Sequence, residues 1–243
     1  MVFADAPFNV KIRGNVSGLG AIKHGEFVMG SGEMSRMEFV EFLTTVIRNL
    51  VAYSMDGAIH FQCIDWRHMA EMQAAGEASY AEFKNLIVWN KDNAGMGTFY
   101  RSQHELIQAW RVGTAPHINN FGLGAKGRYR TNVWNYPGAN TMRKGRLEDL
   151  AAHPTVKPTI MVADAIRDVS KRGDIVIDPF CGSGTTILAA ERTGRRARCL
   201  ELDPVYVDVA IERWEKATGG RAIHQESGLT FAALRQERLG DAR

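Results

Sequence analysis

Metal, membrane and disulfide chemistry find little support in this chain. It has three cysteines in 243 residues, Cys63, Cys181 and Cys199. None stands in a Cys-x-x-Cys spacing, which argues against a zinc site or a disulfide framework and fits a reducing cytoplasm. No signal peptide opens the chain, and no apolar run is long enough to span a bilayer. Neither a metal nor a membrane is therefore an expected partner. The net charge of +3 is too small to name a nucleic-acid partner by itself. Negative charge, however, is missing locally: no Asp or Glu occurs between Arg111 and Glu148. Hydrophobic content of 45% and charged content of 23% are ordinary for a folded chain. The length fits one α/β domain with a full core.

The informative stretch is Ile175-Val-Ile-Asp-Pro-Phe-Cys-Gly-Ser-Gly-Thr-Thr186. A β-branched run, an acid, a glycine turn and a helical pattern predict strand, tight loop and helix. Glycines at 182 and 184 let backbone approach a ligand closely. A phosphate-gripping loop would end in Gly-Lys-Ser/Thr. Here Thr185 follows Gly184, so a nucleoside triphosphate is not expected. The next strand pattern, Arg196-Ala-Arg-Cys-Leu-Glu201, ends in an acid about 20 residues past the glycines, where a ribose diol is held in Rossmann-type units. The bland alternative is a tight βα turn followed by a solvated strand end.

Three segments in a fixed order carry a family resemblance. Asp178-Pro-Phe-Cys-Gly-Ser-Gly-Thr-Thr186 resembles the S-adenosylmethionine (AdoMet) loop of amino-group DNA methyltransferases. His153-Pro-Thr-Val-Lys-Pro158 resembles the segment that precedes that loop. Asp5-Ala-Pro-Phe8 resembles the catalytic Asp-Pro-Pro-Tyr/Phe motif. The catalytic motif comes first and the AdoMet loop last, which resembles the β group of these enzymes, and the likeness covers nearly the whole chain.

The resemblance implies an α/β, Rossmann-like, AdoMet-dependent methyltransferase fold: a twisted, mostly parallel sheet with helices on both faces. It implies AdoMet as cofactor and double-stranded DNA as partner, with a homodimer left open. Asp5, Ala6, Pro7 and Phe8 would form the catalytic motif, with the Asp5 carboxylate and the residue 6 carbonyl as acceptors for an exocyclic amine. Phe8 would stack on a base swung out of the duplex. Asp178, Phe180, Gly182, Gly184, Thr185 and Glu201 would hold the cofactor, Asp178 at its amino group and Glu201 at the ribose. Thr155 and Lys157 would lie near the cofactor carboxylate. Asp at the first motif position resembles the N6-adenine enzymes more than the N4-cytosine ones. The family has proline where this chain has Ala6. The acceptor there is a backbone carbonyl, so what is lost is rigidity.

The rest of the chain is expected as follows. Met1–Ala4 reads as the end of a strand, with further N-terminal material expected before it. Residues 9–32 read as a glycine-rich loop. Ser35 and Glu38 have capping-box spacing and open a helix to about Tyr53. Gly57–Ile64 reads as a strand, Asp65 as the cap of a helix to about Ala75, Leu86–Trp89 and Gln103–Val112 as strands. No regular element is expected from Gly113 to Arg146. This acid-free stretch interleaves aromatics with Lys126, Arg128, Arg130, Arg143, Lys144 and Arg146, and it is expected to be a DNA-contacting insertion in a single domain. Asn90, Lys91, Arg101 and His104 are further candidates for substrate contact at strand ends. Pro158 opens a helix to about Lys171, Asp203-Pro204 opens another to about Ala217, and Ala222–Gln225 is a candidate last strand. Three readings stay open beside N6-adenine methylation of DNA: N4-cytosine methylation, RNA methylation, and a non-catalytic DNA-binding homologue.

Overall fold

The computed structural model describes residues 1–10, 28–95, 99–138 and 156–240. Seven strands form one sheet: β1 (Val2–Ala4), β2 (Ile59–Ile64), β3 (Glu82–Asn90), β4 (His104–Arg111), β5 (Val133–Asn135), β6 (Ile175–Asp178) and β7 (Arg196–Cys199). Their order across the sheet is β5-β3-β4-β2-β1-β6-β7. Only β4 runs antiparallel to its neighbours β2 and β3; the other pairings are parallel. The helices are α1 (Arg36–Ala52), α2 (Met69–Glu77), α3 (Thr159–Val169), α4 (Thr185–Thr193), α5 (Pro204–Thr218) and α6 (Phe231–Gly240).

All six β2 residues are buried, because both faces of this strand are covered. Phe61 and Cys63 pack with Met161 and Ile166 of α3 and Ala189 of α4. Ile64, one residue on and therefore on the opposite face, packs with Phe39, Leu43 and Ile47 of α1 and Met72 of α2. Helices thus lie on both faces, as expected. The capping box at the start of α1 is present: Glu38 N–H donates to Ser35 Oγ and Ser35 N–H to the Glu38 carboxylate.

The chain leaves β1 toward β2 on one side and leaves β6 toward β7 on the other. The two central strands therefore diverge at their carboxyl ends. A parallel sheet places its ligand crevice at such a switch point, and this one is flanked by Asp5, just past β1, and Asp178, the last residue of β6.

Three expectations need correction. Asp65 does not cap α2. It accepts the backbone N–H groups of Arg67 and His68 in a turn, and the helix begins at Met69. The stretch expected to lack regular structure contains β5, which adds to the sheet edge by pairing Trp134 with Trp89. Ala222–Gln225 is not a strand; only an isolated bridge between Ile223 and Thr230 forms there.

Candidate active site

A cavity of about 370 Å³ opens at the switch point, the size range of small-molecule sites. Asp5, Ala6, Pro7 and Phe8 line one side; Asp178, Phe180, Gly182, Thr185 and Glu201 line the other. Strand β1 delivers the first group and the β6–α4 turn the second, so residues far apart in sequence share one space.

The glycine loop is braced from inside. Asp178 is buried and accepts from Phe180 N–H at 3.0 Å and from the Thr186 hydroxyl at 2.6 Å. Burial pushes its carboxyl up to about 7. Gly182 N–H donates to Glu201 Oε2 at 2.6 Å, and Asp203 N–H donates to Oε1 at 2.9 Å. Gly184 has φ +82°, and a Cβ there would stand 2.9 Å from Ala210 Cβ of α5. Arg213, also on α5, donates to the Ser183 carbonyl and hydroxyl. These contacts bear on the expected place of Asp178 at the cofactor amino group. The Asp178 oxygens and the Gly182 and Gly184 N–H groups serve the loop itself, so they preform the site rather than stand bare toward a ligand. Glu201 still has acceptor capacity, since a carboxylate accepts up to about four hydrogen bonds.

On the β1 side of the cavity, Ala6 is buried against α1. Asn9, in a left-handed conformation with φ +52°, clamps residues 32–34 by accepting from Gly32 and Met34 N–H and donating to the Met34 carbonyl. A Cβ on Gly30 would strike Pro7 at 2.6 Å, so the end of the loop before α1 lies directly against the motif. Asp5 Oδ1 is buried and has no hydrogen-bond partner among the described residues. Asp5 Oδ2 receives the Lys157 ammonium at 2.6 Å.

Lys157 lines the same cavity, and its ammonium has protein partners there. It was expected at the cofactor carboxylate. The structure buries it between two carboxylates, Asp5 and Glu105, the latter 3.0 Å away. Lys91 donates to the other oxygen of Glu105. Burial works against charge on Lys157, but Asp5 and Glu105 outweigh it and hold the ammonium protonated well above the usual lysine range. Burial likewise opposes ionisation of Glu105, yet Lys157 and Lys91 bring it down to about 2. For Asp5, burial dominates and its carboxyl sits above the usual value.

Arg128 and Arg130 also have other work. Arg128 donates to Asp168 Oδ1 at 2.7 Å and Arg130 to Oδ2 at 2.8 Å, with Asp164 beside them. The acids missing from their own segment are supplied by α3. Both guanidiniums, expected at phosphates, join an ion-pair cluster that fastens this segment to the helix. Lys126 is exposed and donates to the Asn119 carbonyl. Thr155, Arg143, Lys144 and Arg146 lie outside the described residues. Of the further candidates, Asn90 donates to Asn135 and Arg101 to the carbonyls of Ala94 and Gly95. His104 opens β4 opposite Asn90. Among the described residues no group of His, Cys, Asp and Glu is arranged to hold a metal, and no helix is long and apolar enough to cross a membrane.

Glu105, Lys91 as its partner, Asn9 and Arg213 escaped the sequence reading. Each acts across a distance of 14 to 52 residues or through a single side chain, and no local pattern marks it.

The topology, the glycine loop and the acid at the end of β7 define a Rossmann-like, AdoMet-dependent methyltransferase. A sequence model described as DNA methylase, of the N6/N4 methyltransferase family, matches residues 1–212, and the chain belongs to that family. Type II methyltransferase M2.DpnII of Streptococcus pneumoniae is 26% identical over 231 residues, covering 88% of this chain and 82% of that protein. Type II methyltransferase M.ScaI of Streptomyces caespitosus is 34% identical over 89 residues, only 37% of this chain and 29% of its own length. Among solved structures, the M1.HpyAVI–SAM complex superposes with a TM-score of 0.62 at 18% identity, over 88% of this chain and 87% of that one. PvuII DNA methyltransferase, described as cytosine-N4-specific, gives 0.66 at 15% identity over 88% and 78%. Likeness at such identities shows the fold.

Proposed function

We propose that this protein transfers a methyl group from AdoMet to the N6 amine of adenine in double-stranded DNA. The observation that carries the reading is the buried Asp5 Oδ1 beside the cavity, which has no partner among the described residues. A buried acceptor without a partner is costly, and a site for an amine gives it one. AdoMet, when bound, supplies an electrophilic methyl group on a sulfonium. The cavity fits such a cofactor: Glu201 has acceptor capacity for a ribose diol, and Leu200, Leu202 and Tyr206 give an apolar wall for a purine ring.

Asp5 Oδ1 and the Ala6 carbonyl accept the two amine hydrogens. They draw the nitrogen lone pair out of conjugation with the ring and aim it at the methyl carbon. As the N–C bond forms, the methyl–sulfur bond would break with its electron pair leaving on a neutral thioether, and Asp5 takes the proton that the amine sheds. Phe8 offers an aromatic face to a base taken out of the stack. Asp at the first motif position supports adenine over cytosine, by resemblance to the N6-adenine enzymes. Lys126, Arg143, Lys144 and Arg146 remain the phosphate contacts of this reading.

The test is transfer of labelled methyl from AdoMet to unmethylated duplex DNA and to structured RNA, followed by nucleoside analysis. Label in N6-methyladenine from duplex DNA is expected. Label in N4-methylcytosine, or in RNA alone, would overturn the choice of base or of nucleic acid.

A further inference from the structure

We propose that Glu105 is a positioning residue for methyl transfer: from the start of β4 it shares the Lys157 ammonium with Asp5, holding Asp5 Oδ2 in place and leaving Oδ1 as the acceptor offered to the target amine. The proposal rests on the reading of Asp5 given above and extends it to a residue that touches neither cofactor nor base.

The fold makes this arrangement. Because β4 runs antiparallel, its first residues lie at the same edge of the sheet as the carboxyl ends of its neighbours. Pairing of Glu105 with Trp89 and of His104 with Asn90 sets Glu105 beside Lys91, the residue just past β3. Lys157 enters from the turn before α3. The result is a chain of four charges, Lys91, Glu105, Lys157 and Asp5, linked at 2.5, 3.0 and 2.6 Å. The side chains of all four are mostly withdrawn from solvent. Aromatic rings wall the chain: the Lys157 ammonium lies 5.4 Å from the Phe8 ring and 5.8 Å from the Trp89 ring, and that of Lys91 lies 4.6 Å from the latter.

Two acids balance two bases, and the balance sets how strong an acceptor Asp5 is. With Glu105 present, the Lys157 charge is divided between two carboxylates. Without Glu105, Asp5 alone faces Lys157 and the nearby Lys91. Its negative charge is then quenched, and it accepts less strongly from an amine. Loss of Lys91 acts the other way, since Glu105 then draws on Lys157 undivided. The charged and titratable groups facing Asp5 are Lys157, Glu105 and Lys91, with Cys63 of β2 and Asp178 of β6.

The test compares Glu105→Gln and Lys91→Met with wild type in the pH dependence of methyl transfer. Glu105→Gln is expected to lower kcat by about tenfold, the weight of one pKa unit of acceptor strength, with KM for AdoMet within about twofold of wild type. Its acid limb should move to lower pH, and that of Lys91→Met to higher pH. A merely structural role would lower activity and leave both limbs in place. Unmoved limbs, or limbs moving in the same direction, overturn the proposal. If Glu105→Gln does not fold, the upward shift of Lys91→Met decides. The 13C titration of the Asp5 carboxyl, assigned through Asp5→Asn, reads the same displacements without turnover. If wild type transfers no methyl, the function reading fails, while opposite displacements in this titration still support the charge sharing and their absence still refutes it.

Discussion

Asp178 and His60 are both buried ionisable side chains, and they respond oppositely to pH. Asp178 is raised to about 7 by burial, so the folded protein holds its proton where the unfolded chain, near the ordinary value of 3.8, releases it. The associated stability is present below that lower value and is lost as pH rises through about 7. His60 is lowered to about 3 by burial. Its neutral form, held between Ser54 and Tyr80, contributes stability above 6.5 that is lost as pH falls toward about 3. Asp178→Asn keeps an acceptor for Phe180 N–H and removes the charge. It should therefore raise the melting temperature at pH 8.5 relative to wild type, with the gain shrinking by pH 5; an equal effect at both values would refute the titration. That Asp178, Glu201 and Asp5 would share one cavity was legible because each ends a strand-like run beside a loop motif. The contacts of Lys157 were not, because Asp5 lies 152 residues before it and Glu105 sits on a strand whose sequence carries no motif.

At the scale of elements, the segment from Gly113 to the described limit at 138 is fixed by ions from α3. Asp168 is 4% exposed and meets both Arg128 and Arg130. Asp168→Ala should therefore cost about 1–3 kcal/mol in chemical denaturation, the usual loss of hydrogen bonds to charged groups, since Arg128 keeps Asp164 and Arg130 keeps Tyr136. In DNA binding, Lys126→Ala should reduce the slope of log affinity against log salt by about one phosphate contact, whereas Arg128→Ala should leave the slope unchanged. A reduced slope for Arg128→Ala would return that arginine to the phosphates. Helix α1 was legible because its burial follows the helical period, with Phe39, Leu43, Ile47 and Leu50 buried. Strand β5 was not: at three residues it is too short for an alternation to show, and it forms by pairing with β3.

Over the whole molecule, the sheet order decides where chemistry happens. Strands β1 and β6 are neighbours whose following connections part in opposite directions, and the crevice between them joins the two ends of the sequence. The fold class was legible because three motifs in a fixed order specify this topology. The packing of α5 onto the glycine loop was not, since it depends on Ala210 and Arg213 meeting Gly184 and Ser183. Gly184→Ala should push against Ala210 while straining a left-handed backbone, a cost of roughly 1–3 kcal/mol. Calorimetry should show AdoMet affinity falling by tenfold or more, and unchanged affinity would mean that α5 gives way freely.

The central claim is that Asp5 is the acceptor for the target amine at a preformed AdoMet site. Its most direct test is single-turnover transfer of labelled methyl to unmethylated duplex DNA by wild type and by Asp5→Ala, with AdoMet binding measured for both. The account predicts N6-methyladenine from wild type, loss of label by at least about a hundredfold in Asp5→Ala, the scale of a positioned acid–base or electrostatic group, and AdoMet bound by both. Label retained in Asp5→Ala would contradict it.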